Sequence, residues 1–223
     1  MASKKPRKLI TGESTPKMEE FHYFRSNISW FPDGRHIAFV AKTSTGDRIH
    51  ILDVDREKIT RSISLPQMAS IFEIDVAPDG QSMLLSAQKG MQADIFLLNL
   101  DSEEVRALTN DSYNDMQARF SPDGTKVIFA SERDEAEGSS RYGFFANLTS
   151  DIFELNLESG EILQITRESF DCTMPFYTDG GKKIVFLSHR DDIANLEIID
   201  TRDRAACPSH QGDLRGLQRG HFG

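Results

Sequence analysis

The sequence predicts an all-β protein, a β-propeller of four-stranded antiparallel blades with about four blades present. Three observations lead to this prediction. A Pro-Asp-Gly turn recurs, an apolar strand follows each turn, and a further strand ending in Asp or Asn comes next. Pro32, Pro78 and Pro122 stand 46 and 44 residues apart, close to the roughly 40 to 50 residues of one propeller blade. A repeat of this length with four short antiparallel strands forms such a blade.

The turns set the register of the repeat. Proline presets φ, the aspartate side chain can cap its own turn, and glycine accepts a positive φ. A Pro-Asp-Gly segment between two apolar runs therefore predicts a β-hairpin. In the fourth copy Thr178 replaces the proline, 56 residues after Pro122, which indicates an insertion in the third blade. We assign structural turn roles to Pro32, Asp33, Gly34, Pro78, Asp79, Gly80, Pro122, Asp123, Gly124, Asp179 and Gly180.

Two further marks hold the same phase. The strands that follow the turns are rich in β-branched and aromatic residues, as at 36–40 and 183–187, and such runs fit buried strands. Leu-Thr or Ile-Thr pairs close two repeats, at 108–109 and 165–166. A β-sandwich of unrelated strands would not need marks that stay in phase, and no extended 3.6-residue apolar period supports helices.

These residues resemble the TolB-like family of β-propeller repeats, whose blades are similar to WD-type repeats. The best match, residues 114–166, contains FSPDG at 120–124 and IFAS at 128–131. The resemblance covers about residues 7 to 200 and implies a propeller fold, with a periplasmic location for intact relatives. Similar blades occur in propellers of the prolyl oligopeptidase family. TolB-like propellers generally have six or more blades, so the resemblance also implies a partial propeller.

The repeat divides the chain into three regions. Residues 1–13 align with the fourth strand of a preceding or closing blade, residues 14–200 hold the blades, and residues 201–223 form an off-pattern tail that we expect to be disordered. Either the first strand completes the last blade of a small four-bladed ring, or the chain is a fragment of a longer propeller, which we favour. The expected blades span approximately residues 24–66, 67–112, 113–168 and 169–200.

Composition excludes several classes of function. The chain carries 35 acidic and 26 basic residues, for a net charge of −9, and this argues against general nucleic-acid binding, which needs Lys and Arg to neutralise phosphates. No apolar run reaches the roughly 18 to 20 residues of a membrane span, and the charged amino terminus is not a signal peptide. The sequence assigns neither a compartment nor an oligomeric state.

No pattern of a catalytic, metal or cofactor site stands out. There is no Gly-x-Ser-x-Gly elbow for a serine hydrolase, no P-loop and no His-Glu-x-x-His motif. The six histidines show no ligand spacing, and a functional pair of Cys172 and Cys207 is not expected. Acidic clusters such as 53–55 and 132–135 lack the alternating ligands of a calcium loop. We therefore predict no enzyme activity, no metal and no cofactor.

The insertion of the third blade, about residues 132–150, is the candidate binding loop. Loops on a rigid scaffold often carry binding residues, and aromatic residues and Arg are enriched at interface hot spots. The alternative is that the two phenylalanines extend the next strand or pack beneath the loop. The candidate binding residues are Arg133, Arg141, Tyr142, Phe144 and Phe145.

The function predicted from these features is that of a non-catalytic propeller scaffold, which binds a protein or peptide partner through its loops and channel. The alternative is the substrate-gating propeller of a larger prolyl-oligopeptidase-like serine hydrolase, truncated in this chain. A third option, a propeller enzyme that uses acidic residues facing the channel, has no residues at fixed spacing to support it. No nucleic-acid partner is expected.

Overall fold

A computed structural model describes residues 6–10, 20–21, 27–133, 149–190 and 193–202 of the chain. Within these residues no helix is long and apolar enough to cross a membrane. The strands are β1 (Glu20–Phe21), β2 (Ser29–Trp30), β3 (His36–Thr43), β4 (Gly46–Asp53), β5 (Lys58–Ser64), β6 (Ser70–Val76), β7 (Ser82–Gln88), β8 (Ala93–Asn99), β9 (Val105–Ala107), β10 (Asp115–Phe120), β11 (Lys126–Ser131), β12 (Asp151–Asn156), β13 (Ile162–Gln164), β14 (Cys172–Thr178), β15 (Lys183–Ser188) and β16 (Asn195–Asp200).

The strands form four antiparallel sheets, one for each expected blade. In blade one, β1 and β2 both pair with β3, which is followed by β4 and β5. Blade two is β6 to β9, blade three is β10 to β13, and blade four is β14 to β16. The predicted all-β propeller with about four blades is thus confirmed, and the described residues do not close a ring.

The hydrophobic core lies between neighbouring blades. Because side chains alternate along a strand, the sheets of blades two and three each turn one face to the preceding blade and the other to the following blade. In β11, Val127 and Phe129 pack in a cluster with residues of blade two, whereas Ile128 and Ala130 pack in a cluster with residues of blade four. Burial on both faces explains why the second strands of blades two and three are nearly continuous apolar runs.

The turns between the first and second strands combine an aspartate that caps backbone N–H groups with a glycine in the left-handed conformation. The Asp33 carboxylate accepts hydrogen bonds from the backbone N–H groups of Arg35 and His36, at 2.8 and 3.0 Å. Gly34 has φ +65° and its N–H donates to the carbonyl of Phe31. The hairpin geometry therefore follows from the chemistry of these residues.

The same turns also join successive blades. A Cβ atom placed on Gly80 would lie 3.2 Å from Cγ of Pro32, and one on Gly124 would lie 3.6 Å from Cδ of Pro78. The proline of one blade therefore rests on the turn glycine of the next blade, where no side chain intervenes. Repetition of the Pro-Asp-Gly segment thus serves the packing between blades as well as the hairpin.

The turn of blade four is built differently. Asp179, Gly180 and Gly181 form a short 3-10 turn in which all three residues have positive φ. A Cβ atom on Gly181 would lie 3.4 Å from Cδ of Pro122, whereas one on Gly180 would meet nothing within 4 Å. The contact with the preceding blade therefore belongs to Gly181, one residue beyond the glycine of the predicted turn.

The threonine of the Leu-Thr and Ile-Thr pairs fixes the fourth strand to the third. The Thr166 hydroxyl accepts a hydrogen bond from the N–H of Ile152 at 2.9 Å and donates to the Asp151 carboxylate at 2.6 Å. Thr109 accepts from the N–H of Ile95 at 3.0 Å in the same way. Both threonines are buried, so each pair ends its strand with satisfied backbone groups.

The observed strands follow the expected blade boundaries in three of the four blades. The strands of blades two to four fall inside the expected residues, while β1 begins ahead of residue 24. Residues 6–10, from the expected amino-terminal strand, have no strand pairing. Instead Leu9 and Ile10 pack against the face of blade one that points away from blade two. Of the expected tail, only residues 201–202 are among those described.

Candidate functional site

The first strands of the four blades lie side by side and line an open depression, which we call the inner groove. It has a volume of about 490 Å³ and receives residues from every blade. Its lining includes Asn27, Ile28, Ser29, Trp30, Asp75, Arg119 and Phe176. A concave surface with apolar walls and a few fixed polar groups is the usual form of a binding site.

Polar side chains link the first strands of neighbouring blades. These strands share no backbone ladder, so their exposed edges need other partners. The Asn27 side chain supplies a donor and an acceptor: its amide nitrogen donates to the carbonyl of Ile74 at 2.7 Å, and its amide oxygen accepts from the N–H of Ile74 at 2.9 Å. The Ser29 hydroxyl accepts from the N–H of Val76 at 2.9 Å. Side chains of blade one thus satisfy backbone groups on the first strand of blade two.

Asp75 continues this chain of contacts toward blade three. Its carboxylate accepts from the N–H of Phe120 at 2.9 Å and from the Ser29 hydroxyl at 3.4 Å. Burial raises the pKa of Asp75 above its ordinary value, although the hydrogen bond from Phe120 and the charge of Arg119 oppose the shift. The carboxylate is therefore engaged inside the wall of the inner groove.

Bulges place side chains from the first strands into the inner groove. The register of β10 against β11 shifts between Met116 and Arg119, and that of β14 shifts between Thr173 and Phe176. Gln117, within the first shift, has φ +61°. Such bulges re-aim the side chains that follow them. The positions of Arg119 and Phe176 in the groove therefore depend on these irregularities.

Arg119 is a fixed positive charge in the wall of the groove. Its guanidinium forms an ion pair with Glu73 at 2.8 Å and donates to the carbonyl of Ala118 at 2.8 Å. The same guanidinium lies 5.1 Å from the ring centroid of Phe176, within the range of a cation–π contact. The side chain of Arg119 is only 11% exposed. The ring of Phe176 therefore packs on a guanidinium that is itself fixed in the wall of the groove.

The rim of the inner groove is apolar and open to solvent. Ile28 is 63% exposed, Trp30 is 56% exposed and Phe176 is 45% exposed. Large apolar side chains that cluster at a concave surface commonly mark an interaction site. Trp30 is the one tryptophan in the sequence, and tryptophan is among the residues most enriched at binding hot spots. The groove is thus suited to an extended chain with apolar side chains.

The candidate loop residues predicted from the sequence fall in two groups. Arg141, Tyr142, Phe144 and Phe145 lie outside the described residues. β11 ends at Ser131 and β12 begins at Asp151, so the insertion joins the second and third strands of blade three.

Arg133 is the described member of the candidate loop, and it is held inside the protein. Its guanidinium contacts the carboxylates of Asp115 at 2.5 Å and Asp111 at 3.0 Å. It also lies 5.2 and 5.4 Å from the ring centroids of Phe129 and Phe153. Burial raises the pKa of Asp115 to about 6, although the charge of Arg133 opposes the shift. Arg133 therefore anchors the start of the insertion to blade three.

The sequence predicts binding through loops and a channel, but its candidate binding residues include none of those that line the inner groove. Ser29 and Asp75 each stand three residues before the proline of their turn, as Arg119 does in blade three. Phe176 has the matching place when blade four is aligned on Gly181. This shared position on the first strand could have identified the residues that line the groove. The direction of their side chains could not be predicted in the same way, because it depends on the bulges.

The described residues provide little for catalysis or metal binding. No group of three His, Cys, Asp or Glu among them is placed to hold a metal ion. Cys172 is fully buried, and burial raises the pKa of its thiol to about 12. A thiol in such a site is not a nucleophile.

Comparison with known proteins places the repeat in a family. The family model described as the TolB beta propeller domain matches residues 12–142. The Tol-Pal system protein TolB of Francisella tularensis is 27% identical over 174 residues, which are 77% of this chain and 37% of that protein. The chain thus spans well under half the length of this relative.

Solved structures show the same fold. The crystal structure of TolB from Acinetobacter baumannii has a TM-score of 0.62 at 22% identity, covering 79% of this chain and 41% of that one. Puromycin hydrolase gives a TM-score of 0.60 at 14% identity, covering 82% of this chain and 28% of that one. These likenesses concern the fold, and the match of the family model carries the assignment. The chain belongs to the TolB β-propeller domain family.

Proposed function

We propose that this chain is a non-catalytic propeller scaffold that binds an extended segment of a protein partner in the inner groove. The observation that carries the proposal is the open rim of Ile28, Trp30 and Phe176 around a depression of about 490 Å³. Burial of such side chains against a partner removes apolar area from water, worth about 25 cal/mol per Å². The fixed polar wall would set the orientation of the partner.

A protein partner also fits the relatives of this chain. The relatives from Francisella tularensis are named as Tol-Pal system proteins, and we infer from this relation that the partner is a protein. The insertion with Arg141, Tyr142, Phe144 and Phe145 is a second candidate contact in the proposal. The alternative, a substrate-gating propeller of a larger hydrolase, is supported by likenesses of fold to puromycin hydrolase and to the tricorn protease, and fold does not imply function.

The single tryptophan provides a direct test. A random linear peptide library displayed on phage is selected against the immobilised chain, and the selected peptides are titrated while the fluorescence of Trp30 is followed. We expect saturable changes in fluorescence. The double variant Ile28→Ser with Phe176→Ser should bind the same peptides about tenfold or more weakly, because it loses two apolar contacts of hot-spot type.

Two further variants locate the contact. Leu163→Ser removes an apolar side chain that is 42% exposed on the outer strand of blade three, and it should leave peptide affinity unchanged. The triple variant Tyr142→Ser, Phe144→Ser and Phe145→Ser reports on the insertion. Equal affinity of the wild type and the Ile28→Ser, Phe176→Ser variant would contradict binding in the inner groove.

A further inference from the structure

The first strands of blades two, three and four are already hydrogen-bonded on the edge that does not pair within the blade. On these edges, backbone N–H groups donate to side chains of the preceding blade at 2.7 to 3.2 Å. The carbonyls of Ile74 and Ala118 also accept hydrogen bonds from side chains, at 2.7 and 2.8 Å. The residues whose N–H groups donate in this way are Ile71, Ile74, Val76, Ala118, Phe120 and Met174.

Occupied edges disfavour one common mode of peptide binding. A peptide that adds a strand to a sheet needs a row of unpaired N–H and C=O groups. At the inner groove such a peptide would first have to break the hydrogen bonds accepted by Asn27, Ser29 and Asp75. We therefore expect a partner whose backbone needs no ladder with the groove.

The two charged residues that line the inner groove are engaged within the protein. The Arg119 guanidinium pairs with Glu73 at 2.8 Å, and the Asp75 carboxylate accepts from the N–H of Phe120 at 2.9 Å. Interfaces set complementary potentials against each other. A groove whose charges are balanced internally therefore fits an uncharged segment.

Rings make up much of the remaining lining of the inner groove. Trp30 and Phe176 are the most exposed of the aromatic rings, at 56% and 45%. Pro78 and Pro122 are held in place, because each rests on a turn glycine of the next blade. The groove thus offers flat apolar surfaces on a fixed wall. The rings that line it are those of Trp30, Pro78, Phe120, Pro122, Phe176 and Tyr177.

A polyproline II helix meets each of these conditions. It has about three residues per turn and no internal hydrogen bonds, and water solvates its backbone. It therefore needs no strand ladder, and its carbonyls can accept from a donor such as the indole N–H of Trp30. Proline-rich segments in this conformation dock in aromatic-lined grooves of several unrelated domains.

We propose that the inner groove binds an uncharged, proline-rich segment of the protein partner in the polyproline II conformation, with its proline rings against Trp30 and Phe176. This inference rests on the proposed function and names the class of segment that the groove takes. Such a segment is preformed, so it loses little conformational entropy when it binds.

The handedness of the helix provides the first test. The full chain is titrated by isothermal calorimetry with an acetylated and amidated decamer of L-proline, and separately with the same decamer of D-proline, which forms the mirror-image helix. We expect saturable binding of the L-decamer with a Kd below about 1 mM. The D-decamer should bind about tenfold or more weakly, because only its shape differs. Equal binding of the two decamers, or no binding of the L-decamer, would overturn the inference.

Variants and salt then locate the contact. Trp30→Ala and Phe176→Ser should each weaken binding of the L-decamer about fivefold or more, while the circular dichroism stays that of the wild type because both side chains are exposed. Leu163→Ser is the matched control and should bind as the wild type does. Raising NaCl from about 50 to 500 mM should change the affinity by less than about twofold, because screening acts on charges. A steep loss of affinity with salt would contradict an uncharged segment.

The peptides selected from the phage library separate this inference from the proposed function. We expect them to be enriched in proline and to compete with the L-decamer. Selected peptides that lose affinity in the Ile28→Ser, Phe176→Ser variant, but that lack proline and do not compete, would overturn the polyproline II inference and leave the proposed function standing. Failure of every peptide to bind would overturn both.

Discussion

Single residues connect the blades at their turns. Gly80 has φ +72°, and the space where its side chain would stand is occupied by the ring of Pro32 from the preceding blade. Gly34 has a similar φ of +65° but faces open space. The two glycines therefore separate the conformational requirement of the turn from the requirement for close packing between blades.

We expect Gly80→Ala to destabilise the protein more than Gly34→Ala. Both substitutions place a Cβ in left-handed backbone, which costs about 1–2 kcal/mol. Only the alanine at position 80 would also press on Pro32, at 3.2 Å from Cγ, and overpacking adds typically ~1–3 kcal/mol. Thermal unfolding of the two variants measures the difference. Equal losses of stability would show that the turn proline does not support the next blade.

At the scale of elements, the fourth strands of blades two and three are short and depend on the residues that end them. β9 and β13 contain three residues each. The backbone ladder alone therefore provides few hydrogen bonds. Thr166 adds two hydrogen bonds at the point where β13 leaves β12.

We expect Thr166→Val to lower the free energy of unfolding by about 2 kcal/mol. Valine keeps the shape but leaves the N–H of Ile152 without its partner in a buried site, and an unsatisfied buried donor costs about 1–3 kcal/mol. Thr60→Val is the control, because its hydroxyl donates to the carbonyl of Ile51 at an exposed position. Denaturant unfolding compares the two. A loss as small as that of Thr60→Val would contradict the role of Thr166.

The elements also show what the sequence can predict. Proline, aspartate and glycine at 32–34 act through local geometry, so the hairpins and their spacing are readable directly. The inner groove is not, because a shift of one residue in a strand moves every side chain to the other face. The irregularities before Arg119 and Phe176 make such shifts. In blade four the contact with Pro122 is likewise displaced by one residue, from Gly180 to Gly181.

For the whole molecule, carboxylates of two kinds set the response to acid. A hydrogen bond from His36 lowers the pKa of Asp33 to about 2, and hydrogen bonds from the Arg35 guanidinium lower the pKa of Asp53 to about 2. Burial raises the pKa values of carboxylates within and between the blades, including that of Asp115 to about 6. The buried carboxylates whose pKa values are raised are Asp75, Asp94, Asp115 and Asp151.

We expect the stability of the folded chain to be greatest near pH 4. Between about pH 2 and 4 the unfolded chain binds more protons at the turn aspartates, so stability rises with pH. Between about pH 4 and 6 the folded chain binds more protons at Asp115, so stability falls as pH rises. Asp115→Asn should flatten this fall, whereas the exposed Asp101→Asn should not. Urea unfolding from pH 3 to 8 measures both, and a maximum above pH 7 in the wild type would contradict the expectation.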